Sequence, residues 1–486
     1  MTAHAISRDI APANSSTSQI ETMRQAYEAQ RAAYLSHAPP DAATRRLHLQ
    51  KLLRLVLDNE KAIIDSISAD FGHRSPTETR MAELMPTAIS ARGAIKHVAK
   101  WMRPDRRLPH LAFLPSSAKL IPQPAGVVGI ISPWNYPVIL TLEPLIAALA
   151  AGNRVMIKTS EYSENFTALL QELIAKAYDP EHVTVVSGGP EVASAFSSLP
   201  FDHLLFTGST NVGRLVMRAA SENLTPVTLE LGGKSPTVIG SRHDVKEAAE
   251  GISFGKFLNA GQTCVAPDYV MVPESKRDDF VAAMKATAST FYPTIEENDD
   301  FTSIINERHY RRLQSYLDDA KAKGATLVRL TGDGEPEDES KRRMRPTIVL
   351  DVTDDMKIMQ DEIFGPLLPV RTYRSFDETI SYINDHPRPL AAYLFSNDGS
   401  ERKRFAERTI SGGLCFNTCT IHVGVDELPF GGVGASGMGA YHGYEGFLTF
   451  SHNKPVFEQR KPMTAKLVFP PYGKLANRVV DFFKGR

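Results

Sequence analysis

The chain has 486 residues, longer than one ordinary domain, and 55 Lys and Arg stand against 56 Asp and Glu. So even a charge offers no field for nucleic acid or an anionic membrane. Three cysteines, Cys264, Cys415 and Cys419, are too few for a disulfide framework in a chain this long and point to a reducing compartment.

Taken in chain order, residues 1–18 are rich in Ser, Ala and Thr without periodicity and predict a mobile arm. The start MTAHAISRDI lacks the apolar core of a signal peptide, so the expected location is cytoplasmic and the N-x-[ST] sequons at Asn14, Asn165 and Asn223 are chance matches. Leu49, Leu52, Leu53 and Val56 fall on one helix face, and helical texture runs to about Trp101, where Pro104 and Pro109 follow. From Gly126 the texture changes. VVGIIS reads as a doubly buried strand, a helix follows to Ala151, and RVMIK, HVTVVSG and HLLFTGS continue as strands separated by helices. The stretch 138–151 contains Glu143 and is too short to span a bilayer. This alternation predicts parallel βαβ packing with ligands at the carboxyl ends of the strands. A second alternating region, about 237–410, offers DYVMVP, ATLVRL, RPTIVL and LPVRTY as strands. From about Gly412 the chain is glycine-rich, and its basic tail carries an apolar helical stripe, Leu475, Val479, Phe482 and Phe483. That stripe is expected to dock on the chain's own fold or a neighbouring subunit, with a membrane surface as the other reading.

Several short motifs can carry chemistry. In NAGQTCVAP, Cys264 is either a positioned nucleophile or a buried small hydrophobe. In LELGGKSP, Glu230 is either a solvated carboxylate at a strand end or, standing in an apolar run, a desolvated one whose raised pKa would suit it to general-base work. Gly233-Lys234-Ser235 imitates the end of a P-loop, but Thr228 occupies the required glycine position. In PWNYP, Asn135 offers an amide N–H where a strand ends, suited to an oxyanion or to an ordinary turn. FTGSTNVG, with Gly208, leads from a strand into a helix whose N-terminus suits phosphate. The GxGxxG of Gly432, Gly434 and Gly437 follows no buried strand and reads as a false dinucleotide motif. Cys415, Cys419 and His422 lack a fourth ligand at zinc spacing, so no metal is expected.

Together PWNYP, KTSE, FTGST, LELGGKSP, GQTCVAP, EIFGP and LPFGGVGASGMG resemble the aldehyde dehydrogenase superfamily over about residues 20–460, in the family's order. Glu230 and Cys264 stand 34 positions apart, the usual separation in that family. The ending GMGAYHGYEGFLTFSHNKPV resembles the class 3 branch, and within it the chain most resembles coniferyl aldehyde dehydrogenases. The resemblance implies an α/β aldehyde dehydrogenase fold. A Rossmann-like NAD(P)-binding domain would take residues 19–112 and 124–232, and an α/β catalytic domain 233–411. A small β oligomerisation segment would take 113–123 and 412–460, with a tail at 461–486 and a homodimer as the assembly. It also implies oxidation of an aldehyde, aromatic or cinnamyl such as coniferyl aldehyde, to the acid. Cys264 would be the nucleophile, Asn135 with the Cys264 backbone N–H the oxyanion site, and Glu230 the base that activates water. Lys158 and Glu161 would bind the adenosine ribose, and Gly208, Ser209 and Gly213 the pyrophosphate. Glu362 would bind the nicotinamide ribose with Phe364 packing nearby, and Trp134, Leu231 and Gly232 would be further cofactor-binding residues. A carboxylate at Glu161 leans to NAD over NADP. The alternatives are an aliphatic medium- or long-chain aldehyde dehydrogenase, a CoA-acylating enzyme, which typically lacks the base at the Glu230 position, and a non-catalytic dinucleotide-binding protein.

Overall fold

A computed structural model describes residues 14–336 and 338–485. Part of the expected mobile arm, 1–13, lies outside them. Residues 14–18 are instead the first turn of the helix Asn14–Ser36, because the apolar residues that anchor it, Met23 and Tyr27, come soon after.

The strands follow in chain order. β1 (Asp105–Arg107) and β2 (Ser117–Pro124) come first, then β3 (Val127–Ile131), β4 (Arg154–Lys158), β5 (Val183–Val186), β6 (His203–Gly208) and β7 (Val227–Leu231). A second group is β8 (Pro236–Ile239), β9 (Tyr269–Pro273), β10 (Thr326–Arg329), β11 (Thr347–Leu350), β12 (Leu367–Tyr373), β13 (Ala391–Phe395) and β14 (Gly413–Phe416). β15 (Gly437–Met438) and β16 (Ser451–Glu458) close the series.

They form three sheets. One has the order β15-β7-β6-β3-β4-β5 and is parallel except for β15. Its central strand β3 is buried along its whole length, as a strand covered on both faces must be. The second, β10-β11-β12-β9-β8-β13-β14, is parallel except for β10. The third is the antiparallel β1-β2-β16. The segment 412–460, expected with 113–123 to serve oligomerisation or bridging, is shared among all three. β14 extends the second sheet, β15 lies on β7, and only β16 joins β2.

The helix Ile139–Ala151 is buried on every side, which explains its apolar run. Its one carboxylate, Glu143, lies 3.3 Å from His442 Nε2. Gly152 ends the helix in the left-handed conformation. Of the two faces expected to cover the tail helix Lys474–Phe483, its own fold buries only Ala476, and Leu475 and Phe482 stay 60% and 70% exposed. Cys415 and Cys419 are buried in the core.

Candidate active site

Between the two large sheets, at the carboxyl ends of β3, β6 and β7, lies a cavity of about 230 Å³. Each strand ends in a turn that delivers one wall. Pro133, Trp134 and Asn135 follow β3, Thr207, Gly208 and Ser209 end or follow β6, and Glu230, Leu231 and Gly232 end or follow β7. Cys264, His309, Arg312, Glu362 and Phe364 come from the second half.

The segment before Cys264 is unusual. Asn259, Ala260 and Gly261 have φ of 54°, 51° and 75°, three successive left-handed residues. Such a conformation costs a non-glycine residue about 1–2 kcal/mol, and it is held by a dense set of bonds. The Gln262 side chain donates to the Asn259 and Ser303 carbonyls (3.0 and 3.1 Å) and accepts from the Ile305 N–H (3.0 Å). Gly261 is required sterically, since a Cβ there would sit 2.3 Å from the Gly365 carbonyl oxygen.

Cys264 is partly exposed to the cavity. Burial, then the neighbouring Glu230 and Glu362 carboxylates, push its thiol well above the usual range, so at neutral pH it carries its proton. Glu230 is 1% exposed. Burial pushes its pKa up to about 8, with the Cys264 thiol and Thr207 hydroxyl pulling the other way. The alternative of a solvated strand-end carboxylate is therefore corrected. Asn135 is 3% exposed, and its Nδ2 donates to the Gln262 carbonyl at 3.1 Å. That bond fixes the amide beside the cysteine loop and leaves a second amide hydrogen.

On the other wall, burial raises Glu362 to about 8, and its Oε1 has no partner. Its carboxylate lies so close to Gly232 that a Cβ there would be 2.1 Å from Oε2. Phe364 (φ 51°) meets Trp134 edge to face at 5.5 Å. Arg312 donates to the Glu362 and Phe364 carbonyls (3.2 and 3.4 Å), tying this wall to the helix Glu307–Ala322.

The structure thus brings together Asn135, Glu230, Cys264, Trp134, Gly208, Ser209, Leu231, Gly232, Glu362 and Phe364 around one cavity. Three predicted residues stand apart from its lining. Lys158 is 1% exposed at the end of β4, donating to the Thr159 carbonyl at 2.6 Å, and Glu161 is exposed on the turn that follows. Gly213 lets the helix Thr210–Ser221 approach β7, where a Cβ would meet Leu231 at 2.7 Å. Tyr136, next to Asn135, stands behind the cavity with its hydroxyl bonded to Thr263 at 2.7 Å. Lys234 has a structural task, bonding Asp268 and the Ile358 and Asp361 carbonyls. The glycines of the false dinucleotide motif form the turn that lays β15 against β7, with Gly437 opposite Glu230.

Sequence reasoning missed Thr207, Leu140, His309 and Arg312. Thr207 was within reach, because it stands inside FTGST directly before Gly208. The last two lie in the charged stretch ERHYRRLQ, which reads as a solvated helix face and carries no local sign of a cavity.

The sequence profile of the aldehyde dehydrogenase family matches residues 8–456. The chain belongs to the aldehyde dehydrogenase family. A probable coniferyl aldehyde dehydrogenase of Pseudomonas aeruginosa is 51% identical over 97% of this chain and 98% of its own. A coniferyl aldehyde dehydrogenase of a Pseudomonas species is 45% identical over 93% and 94%. The structure of Staphylococcus aureus AldH in a substrate-bound state superposes with a TM-score of 0.90 at 39% identity, covering 95% of this chain and 99% of that one. This aldehyde dehydrogenase is an oxidoreductase that takes an aldehyde to the acid with a nicotinamide dinucleotide. The cavity suits such a cofactor. Glu362 Oε1 is a buried acceptor awaiting a donor such as a ribose hydroxyl, and Ser209 caps a 12-residue helix whose N-terminus favours phosphate.

Proposed function

We propose that the enzyme oxidises an aromatic or cinnamyl aldehyde, of the coniferyl type, through a covalent bond to Cys264. The observation that carries the chemistry is the meeting of Cys264, Glu230 and Asn135 at one cavity from three distant parts of the chain. The identities of 51% and 45% to enzymes named for coniferyl aldehyde support the substrate class. An aliphatic medium- or long-chain aldehyde is the other substrate reading.

Glu230 takes the thiol proton, and the Cys264 sulfur attacks the aldehyde carbon to give a thiohemiacetal. The free amide hydrogen of Asn135 and the Cys264 backbone N–H hold the oxygen as it gains charge. A nicotinamide dinucleotide held in this cavity would supply the hydride acceptor, and loss of hydride from the thiohemiacetal carbon would leave a thioester on Cys264. Glu230 releases the first proton to solvent and then takes one from water, which attacks the thioester. The acid leaves, and the departing Cys264 thiolate takes the proton back. The presence of a carboxylate base at Glu230, a position where CoA-acylating enzymes typically lack one, favours hydrolysis over transfer to CoA.

Lys158 and Glu161 would bind the adenosine ribose, and Gly208, Ser209 and Gly213 would admit the pyrophosphate. Leu231, Gly232, Trp134, Glu362 and Phe364 would flank the nicotinamide end. The exposed Glu161 carboxylate would repel a 2′-phosphate, which leans the cofactor to NAD. A cytoplasmic homodimer completes the proposal. The cysteine content supports the compartment, and the edges of the three-stranded sheet β1-β2-β16 support the assembly.

Absorbance at 340 nm across cinnamaldehydes, benzaldehydes and long alkanals, each with NAD and NADP, tests the substrate. A higher kcat/KM for cinnamaldehydes with NAD is expected, and a preference for long alkanals would replace this reading. Cys264→Ala should abolish oxidation and leave dinucleotide binding intact.

A further inference from the structure

Directly behind Asn135 lies a buried ionic cluster that none of these steps uses. Arg74 and Glu83 are both fully buried, and Arg74 Nη1 donates to Glu83 Oε1 at 2.7 Å. The same nitrogen donates to the Asn135 carbonyl at 3.2 Å. The other Glu83 oxygen accepts the N–H groups of Val138 and Ile139 (2.6 and 3.3 Å), at the start of the buried helix that follows PWNYP. Asn259, the first of the left-handed residues, donates its side-chain amide to the Asn135 carbonyl at 3.0 Å. Its backbone N–H goes to Glu78 Oε1 (3.0 Å), and Thr302 donates to Glu78 Oε2 (2.6 Å). Arg74 lies over the rings of Tyr136 and Phe71, 4.8 and 5.3 Å from their centres.

The backbone is shaped to allow this. Glu78 and Glu83 are five residues apart, which on a regular α-helix places them roughly 140° apart. Residues Arg80–Leu84 form a single π turn instead, closing i to i+5, and both carboxylates turn inward. Burying three ionisable groups is costly, and replacing such groups with apolar residues is often neutral or stabilising. Stability alone is therefore a weak reason for the cluster. Its members converge on the peptide of Asn135 and on the loop that carries Cys264.

We infer that Arg74, fixed by Glu83, is a positioning residue that orients Asn135 toward the oxygen of the substrate bound at Cys264. The inference rests on the roles proposed above for Asn135 and Cys264. Arg74 touches no reacting atom. It holds the Asn135 carbonyl, and the amide of the same residue is held by the Gln262 carbonyl, so backbone and side chain are pinned from opposite ends.

The test removes both charges together, because removing one leaves the other buried and unpaired. The full-length Arg74→Met/Glu83→Gln variant keeps an acceptor for the Val138 and Ile139 N–H groups. It is expected to bind NADH as the wild type does and to be alkylated at Cys264 by iodoacetamide at the wild-type rate. Alkylation displaces iodide from a saturated carbon and needs no oxyanion site. Single-turnover reduction of NAD by an aldehyde is expected to slow about 10- to 100-fold, the scale of a misplaced catalytic group, with KM for the aldehyde little changed. Adding Asn135→Ala should then cause no further multiplication of the defect. Should the double variant fail to fold, Arg74→Lys, which keeps the buried pair, carries the same comparisons. A folded variant that turns over at the wild-type rate overturns the inference, as does a defect that multiplies with Asn135→Ala or equally slows alkylation. Wild-type turnover that survives complete alkylation of Cys264 overturns the proposed chemistry instead.

Discussion

Glu230 shows how one residue can be ambiguous in sequence and decisive in space. VTLEL allowed a solvated carboxylate or a buried base, and only the covering by β15 and the second half of the chain removes its water. Its pKa near 8 fixes the sign of two effects. In the proposed role of base it must be deprotonated, so thioester hydrolysis should accelerate as pH rises toward about 8 and then level off. Stopped-flow measurement of hydride transfer beside steady-state turnover checks this, and Glu230→Gln should slow hydrolysis more than the first hydride transfer. Stability runs the other way. Between its ordinary 4.5 and about 8 the folded protein holds a proton that the unfolded chain releases, so raising pH through that window costs stability. Glu230→Gln has no such proton to lose, and its melting temperature should gain on the wild type between pH 5 and pH 8. Cys264 was legible because GQTCVAP and its spacing from Glu230 fit a family pattern. Arg74 and Glu83 were not, because a charge in a helical stretch looks solvated until the turn that buries it is seen.

Among the elements, the parallel strands from Val127 to Gly208 were readable, since a doubly buried strand must be an unbroken apolar run. β14 and β15 were not, for a short strand owes its identity to a partner far along the chain. The walls they help to build have little tolerance. Gly232→Ala would press a methyl against the Glu362 carboxylate, and KM for the dinucleotide should rise roughly tenfold or more, given the cost of misplacing a site group. Gly261→Ala meets both a φ of +75° and the Gly365 carbonyl. Oxidation should be lost and unfolding should become easier by at least about 1–2 kcal/mol, measurable by urea denaturation with circular dichroism.

At the scale of the whole molecule, the three sheets divide the work. Two meet at the cavity, and the third carries strand edges outward beside a tail helix whose apolar residues are exposed. Sedimentation equilibrium should return twice the chain mass of 53.5 kDa, and a monomer at micromolar concentration would contradict the proposed dimer. Among the described residues no helix is long and apolar enough to cross a membrane. The left-handed run at Asn259–Gly261 bears on any attempt to engineer the enzyme. Its strain is a standing debit against thermal stability, placed where the proposed nucleophile Cys264 must be presented. A library screened for heat resistance alone will therefore be enriched in variants that relax this loop and no longer oxidise aldehydes. Screens that score surviving turnover after heating will recover their gains elsewhere in the chain.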